Sequence, residues 1–230
     1  MNRRAIVLGA AALGLAAFAG GSWVIRDRRA REAAAAEAAR AASVPDLASR
    51  LAPLSAPVLG PPDAPVTLVE FFDPSCEACR AFHPVLKQLR DQYPEQLRIV
   101  MRYTVFHQGS DEAVAILEAA RRQNLFEPVL NALLDSQPSW ALHDGPRMDI
   151  AWAAAAAVGL DISNREFELR SPGTVAILRQ DAEDVQAFGV RATPTFFLNG
   201  RELREIRSFQ SLADAVQAAV AEAGAAPAGE

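Results

Sequence analysis

The 230-residue chain has two cysteines, three histidines and no excess of basic over acidic residues. Each shortage excludes something. Two cysteines cannot build a disulfide framework, and a structural zinc site of the usual kind takes four ligands. A net charge of −5, from 23 basic and 28 acidic residues, leaves no basic stripe for a nucleic acid to follow. Apolar residues are plentiful: half of the chain is hydrophobic, enough for one packed domain with extra segments or for two small domains. The two cysteines stand three apart, as Cys76 and Cys79, and the pair has to be explained by itself.

Residues 1–25 read as a targeting segment or membrane anchor. Asn2-Arg3-Arg4 precede an uncharged run from Ala5 to Ile25, long enough to cross a bilayer as a helix. Ala17-Phe18-Ala19 has the small-x-small pattern of a signal peptidase site, yet Trp23-Val24-Ile25 carry the apolar run beyond it. A cleaved signal and a retained anchor both remain open, and we adopt the anchor. Arg26, Arg28, Arg29 and Arg31 outnumber Arg3 and Arg4, so a plain positive-inside count would leave the body in the cytoplasm. Paired arginines at the start are also a weak sign of a twin-arginine signal. The cysteine chemistry below wants an oxidising compartment, and on that ground we place the body outside the cytoplasm. Residues 26–60 read as a spacer, alanine-rich from Ala33 to Ala42 and then broken by Pro45, Pro53 and Pro57. The folded domain is expected over 61–224, followed by a flexible tail at 225–230.

Within that domain Val66 to Phe72 is a compact apolar run of the kind that forms a strand buried on both faces. Asp73-Pro74-Ser75 is a turn that offers Asp73 or Ser75 as a helix N-cap. Apolar residues then recur at helical spacing from Cys76 to about Tyr93, and Leu97 to Tyr103 is a second strand, which completes a βαβ unit. From about 108 to 188 no strand is expected; helices are predicted over Ser110–Gln123, Phe126–Leu134, Met148–Val158 and Thr174–Phe188, separated by Pro138, Gly145-Pro146, Gly159 and Ser171-Pro172. Thr195–Leu198, Asn199-Gly200 and Arg201–Ile206 read as a hairpin with a type I′ turn, and a helix from Ser211 to about Ala223 closes the domain.

The cysteine pair opens the first helix. Disulfide exchange is carried out by the thiolate, so the attacking sulfur needs a lowered pKa. A helix N-terminus supplies unpaired N–H groups and about half a positive charge. Cys76, in the first turn, is the more exposed candidate, and Cys79, one turn in, the more buried one. Other uses of the motif stay open. Covalent haem attachment needs histidine where Arg80 stands. A zinc or copper carrier using Cys76, Cys79 and His83 is conceivable, and an inert disulfide closing so short a ring would stabilise little. His107 and His143 lie in loop-like stretches with nothing nearby to form a triad with Cys76, and Phe71, Phe72, Phe196 and Phe197 read as core.

Phe71-Phe72-Asp73-Pro74-Ser75-Cys76-Glu77-Ala78-Cys79, with Pro84 eight residues after the first cysteine, resembles the thioredoxin superfamily. Thr193-Pro194-Thr195 is similar to that superfamily's cis-proline loop, and the long helical stretch makes the chain resemble the DsbA family in particular. The resemblance covers roughly Pro57 to Ala223. It implies an α/β thioredoxin fold with an inserted helical subdomain, and thiol–disulfide interchange by Cys76 and Cys79 with protein thiols and disulfides. It further implies a cis bond at Pro194, substrate pairing at the backbone of Thr193, contacts to substrate from Glu77 and Ala78, and a buried acid, Glu70, that moves a proton at the resolving thiol. No metal or other cofactor is implied, and a membrane redox partner and a monomer are expected. The strongly oxidising members place histidine between the cysteines; here stands Glu77-Ala78. A carboxylate beside Cys76 is expected to raise its pKa and make a weaker oxidant, which leaves reduction or isomerisation open. From another class, the same groove could belong to a membrane-tethered peptide-binding or chaperone module.

Overall fold

The computed structural model describes residues 25–29, 31–32, 47–204, 206 and 208–225. The segment read as signal or anchor (Ile25 apart), residues 33–46 of the spacer and residues 226–230 lie outside the described residues. Among the described residues no helix is long and apolar enough to cross a membrane. The chain divides into two units, Met1–Leu47 and Ala48–Glu230. In the first, residues 25–29 and 31–32 are helical, with exposed ion pairs Asp27–Arg31 and Arg28–Glu32 one turn apart.

The second unit is a five-stranded sheet with helices on both faces. Its strands are β1 (Val58–Leu59), β2 (Val66–Phe72), β3 (Leu97–Tyr103), β4 (Thr195–Leu198) and β5 (Arg201–Glu202), in the spatial order β1-β3-β2-β4-β5. Central β2 pairs in parallel with β3 and antiparallel with β4, so neither edge of it meets water. That position explains its near-continuous apolar sequence. The parallel pair is joined by α2 (Glu77–Gln92), which packs Cys79, Leu86 and Leu89 inward. Asn199 and Gly200 both take positive φ, 48° and 84°, as a type I′ hairpin turn requires. The last helix is α8 (Phe209–Ala225). On its side of the sheet Phe82 stacks against Phe196 and Phe209, with ring centroids 5.4 and 4.8 Å apart.

Between β3 and β4 run five helices and no strand: α3 (Ser110–Arg122), α4 (Phe126–Trp140), α5 (Met148–Ala157), α6 (Arg165–Glu168) and α7 (Pro172–Phe188). α3 is buried from Ala113 to Ala120, and Trp140 and Trp152 are sealed among these helices. Each indole N–H finds an acceptor, the Leu133 carbonyl at 2.8 Å and Glu112 Oε1 at 2.6 Å. α4 is longer than expected. Pro138 falls in its last turn, where the ring removes a single donor and Trp140 still packs inward.

The folded unit also begins earlier than the boundary read at residue 61. Residues 48–51 of a short helix, α1 (Leu47–Leu51), and edge strand β1 belong to it. Leu51 is buried, and the Arg50 guanidinium donates to Asp184 Oδ1 on α7. Prolines at 53 and 57 interrupt regular structure without releasing residues 48–60 from the domain.

Candidate active site

The site forms where β2 ends. The sequence offers Asp73, which is fully buried, or Ser75 as the N-cap of α2. Instead Cys76 is itself the N-cap, with no side-chain cap bond. Asp73 Oδ1 accepts from Ser75 N (2.8 Å) and Ser110 Oγ (2.5 Å), while Oδ2 accepts from Phe106 N, His107 N and His107 Nδ1 (2.8, 3.2 and 2.8 Å). One carboxylate therefore ties the cysteine turn to the loop after β3. From the helical segment, buried Gln137 donates to the carbonyls of Pro74 and Cys76 (2.7 and 3.0 Å) and accepts from Arg80. Sequence reading missed Gln137, Asp73 as a hub, and His107, because all three act across long sequence separations.

Cys76 and Cys79 are both free thiols. Thr193–Pro194 is a cis peptide, and the Cys76 thiol donates to the Thr193 carbonyl oxygen at 3.4 Å. Thr193 Oγ1 is buried without a hydrogen-bond partner among the described residues. Glu70, on β2, is 1% exposed, and its Oε1 likewise has no partner. That excludes the solvent-facing position a strand residue could have had. Cys76, Cys79, Thr193, Pro194 and Glu70 thus come together, whereas Glu77 and Ala78 lie on the exposed first turn of α2.

The electrostatics separate the two sulfurs. Cys76 is lowered to about 5, first by the Cys79 thiol, then, against the cost of burial, by Thr193 and the N–H groups of Cys79 and Ala78 at the helix start. Cys79 moves the other way, driven up by burial and by the negative charges it would share with Cys76 and Glu70. Glu70 is pushed up to about 8, chiefly by burial and then by the Cys76 charge. The expected raising of Cys76 by Glu77 is overturned. The Glu77 side chain is 70% exposed and its ionic neighbour is His143 at 3.7 Å, so water and the helix-end donors outweigh it.

Of the metal-carrier set, His83 Nε2 is engaged by Asn131 Oδ1 at 2.7 Å. Among the described residues no group of three or more His, Cys, Asp or Glu could hold a metal ion.

A βαβ unit, a long helical segment, a hairpin and a closing helix, with a cysteine pair opening the first helix against a cis proline, define a thioredoxin fold of DsbA-like architecture. The family model for thioredoxin, Thioredoxin_4, matches residues 54–218, and the chain belongs to that family, within the thioredoxin superfamily. A thioredoxin-like oxidoreductase from Silicibacter pomeroyi DSS-3 is 30% identical, with 78% of this chain and 98% of that one covered at a TM-score of 0.64. Wolbachia pipientis alpha-DsbA1, 18% identical, covers 75% of this chain and 95% of its own at a TM-score of 0.67, a likeness of fold. A Na(+)/H(+) antiporter NhaA of Herminiimonas arsenicoxydans is 34% identical over 147 residues, 64% of this chain and 23% of the antiporter. The chain spans about a quarter of the length of the curated relatives it matches, and the transport in their name is theirs.

Proposed function

We propose that this chain is a protein thiol–disulfide oxidoreductase acting on exported proteins outside the cytoplasm, with Cys76 as the nucleophile and Cys79 as the resolving thiol. The observation that carries the reading is the opposed setting of the two sulfurs, one stabilised as thiolate at a helix start and one buried as thiol above Glu70. In the reducing direction the Cys76 thiolate attacks one sulfur of a substrate disulfide, a mixed disulfide forms, and the other substrate sulfur leaves as a thiolate that takes up a proton. The Cys79 proton passes to the Glu70 carboxylate, the Cys79 sulfur attacks Cys76, and the second substrate sulfur is released. Two electrons have then moved from the cysteine pair to the substrate. The oxidising direction is the reverse. No separate cofactor is needed, because the pair itself holds the electrons.

Thr193 supports the reading as a docking position, since its backbone faces Cys76 and an extended substrate could pair there. Pro194 lines a groove with Phe82, Phe196, Leu203 and Ile206 on the same side. Contacts to substrate from Glu77 and Ala78 rest on their exposure beside Cys76. A stabilised thiolate favours the reduced pair, and this weights the direction toward oxidation of substrate thiols. The apolar segment at 1–25 would keep the protein, as a monomer, within reach of a membrane partner that resets the pair.

Substitution separates the two thiols. With a peptide disulfide as probe, Cys79→Ser is expected to accumulate a stable mixed disulfide on Cys76, and Cys76→Ser to form none. Exchange that survives Cys76→Ser overturns the reading. In that case retained binding of unfolded chains would favour a tethered chaperone.

A further inference from the structure

We propose that His107, held by the buried Asp73 carboxylate at the rim of the Cys76 pocket, is the cationic partner of the Cys76 thiolate and a positioning residue for the exchange. The dipeptide between the cysteines carries no cation, and the sequence around Cys76 suggests none nearer than Arg80, which is engaged by Gln137. The fold supplies one from 31 residues away. His107 lines the same open pocket as Cys76, together with Phe106, Val190, Arg191, Ala192 and Thr193.

The ring is fixed at one nitrogen. Asp73 Oδ2 accepts from His107 Nδ1 at 2.8 Å and from the backbone N–H of the same residue, and the other Asp73 oxygen is held by Ser75 and Ser110. A carboxylate bonded at Nδ1 favours the imidazolium and leaves Nε2 as the group free to face an anion. The loop is fixed as well. Gly109 takes φ 79°, and a Cβ there would stand 2.8 Å from Pro146 and 2.9 Å from the Met148 sulfur, so this turn is seated tightly on the segment before α5. His107 is itself raised above its ordinary value: partial burial opposes the shift, but the Asp73 bond and charge, then the Cys76 and Glu77 charges, outweigh it.

The charged groups that face His107 are Asp73 beneath it, Cys76 and Glu77 at the start of α2, and Arg191 across the pocket. Asp111, in the first turn of α3, and Arg147, between the Pro146 and Met148 that Gly109 approaches, are charged residues of the adjoining segments. Asp73, Cys76 and Glu77 favour the charged ring, and Arg191 is the competing cation. An imidazolium stabilises the thiolate of the reduced pair and gains nothing from the uncharged disulfide. The coupling is reciprocal: the thiolate must raise His107 by as much as His107 lowers Cys76.

The inference rests on Cys76 being the redox-active thiol, but its test needs no substrate and so fails separately from the proposed function. Ultraviolet absorbance of the thiolate is followed against pH in the reduced full-length protein and in His107→Gln and His107→Phe. The Cys76 midpoint, about 5 in the native protein, is expected to rise by about one pH unit in both variants. That is about tenfold in ionisation, equivalent to a potential lower by about 30 mV. In the unsubstituted protein, NMR of the His107 ring is expected to show its titration at higher pH in the reduced than in the oxidised state. A native-like Cys76 midpoint in both variants overturns the proposal. So does a midpoint that moves with Arg191→Gln and not with His107→Gln, or a His107 titration indifferent to oxidation.

Discussion

Two buried settings on opposite faces of the central strand pair, around Arg102 and around Glu70, treat an ionisable group in opposite ways. On the α7 side the buried charges of Arg102, Asp181 and Asp184 answer one another. Arg102, fully buried on β3, donates to Asp181 Oδ1 through Nε and Nη2 (2.9 and 2.6 Å), to Asp184 Oδ2 (2.6 Å) and to the carbonyls of Arg50 and Leu51. Its guanidinium also lies 5.4 Å from the centre of the Phe71 ring, and Asp181 Oδ2 accepts from Tyr103 N. On the α2 side Glu70 is equally buried, with an unpartnered oxygen beneath two free thiols. Buried charge that is fully paired holds α1, β3 and α7 together. Buried acid that is left unpaired is costly to the fold, and the proposed proton transfer at Cys79 would give it a purpose.

Substitution should make this contrast visible as opposite effects on stability. Arg102→Met leaves buried Asp181 without a cation and Asp184 with Arg50 alone, and is expected to cost about 3–5 kcal/mol in denaturant unfolding, with little change in the Cys76 midpoint once folded. Glu70→Gln is expected to raise stability at neutral pH. The sign follows from its pKa, raised in the folded protein from the ordinary 4.5 to about 8. That group's contribution is fully present below 4.5 and is lost as pH rises through 8, so the native protein weakens across this window and the Gln variant should not. The same variant should slow resolution of the mixed disulfide by about 100-fold and remove the inflection near 8 from its pH profile. A large stability loss in Glu70→Gln, or a negligible one in Arg102→Met, would erase the distinction.

Much of this was legible in the sequence. The β2 and β3 runs, the cysteine pair at a helix start, the Asn-Gly turn and Thr193-Pro194 are local patterns, each fixed by a few adjacent residues. What escaped was set by residues distant in sequence. Asp73 read as a cap because turns before helices usually use one, and only the fold reveals that the loop at 106–110 claims both of its oxygens. His107 read as a loop residue for the same reason. Arg102 read as part of a strand, and its partners stand 79 and 82 residues away. Glu77 misled in the other direction: proximity in sequence suggested a raised Cys76, but the Cys79 thiol, Thr193 and the helix-start N–H groups set that sulfur's environment instead.

The most direct test of the account is the equilibrium of the full-length protein with defined ratios of reduced and oxidised glutathione, read as the fraction of Cys76–Cys79 disulfide. The account predicts a two-electron transition with a potential above thioredoxin's, about −270 mV, and toward that of DsbA, about −120 mV, because the Cys76 thiolate stabilises the reduced pair. A potential at or below thioredoxin's, or a pair that does not exchange with glutathione at all, would contradict it.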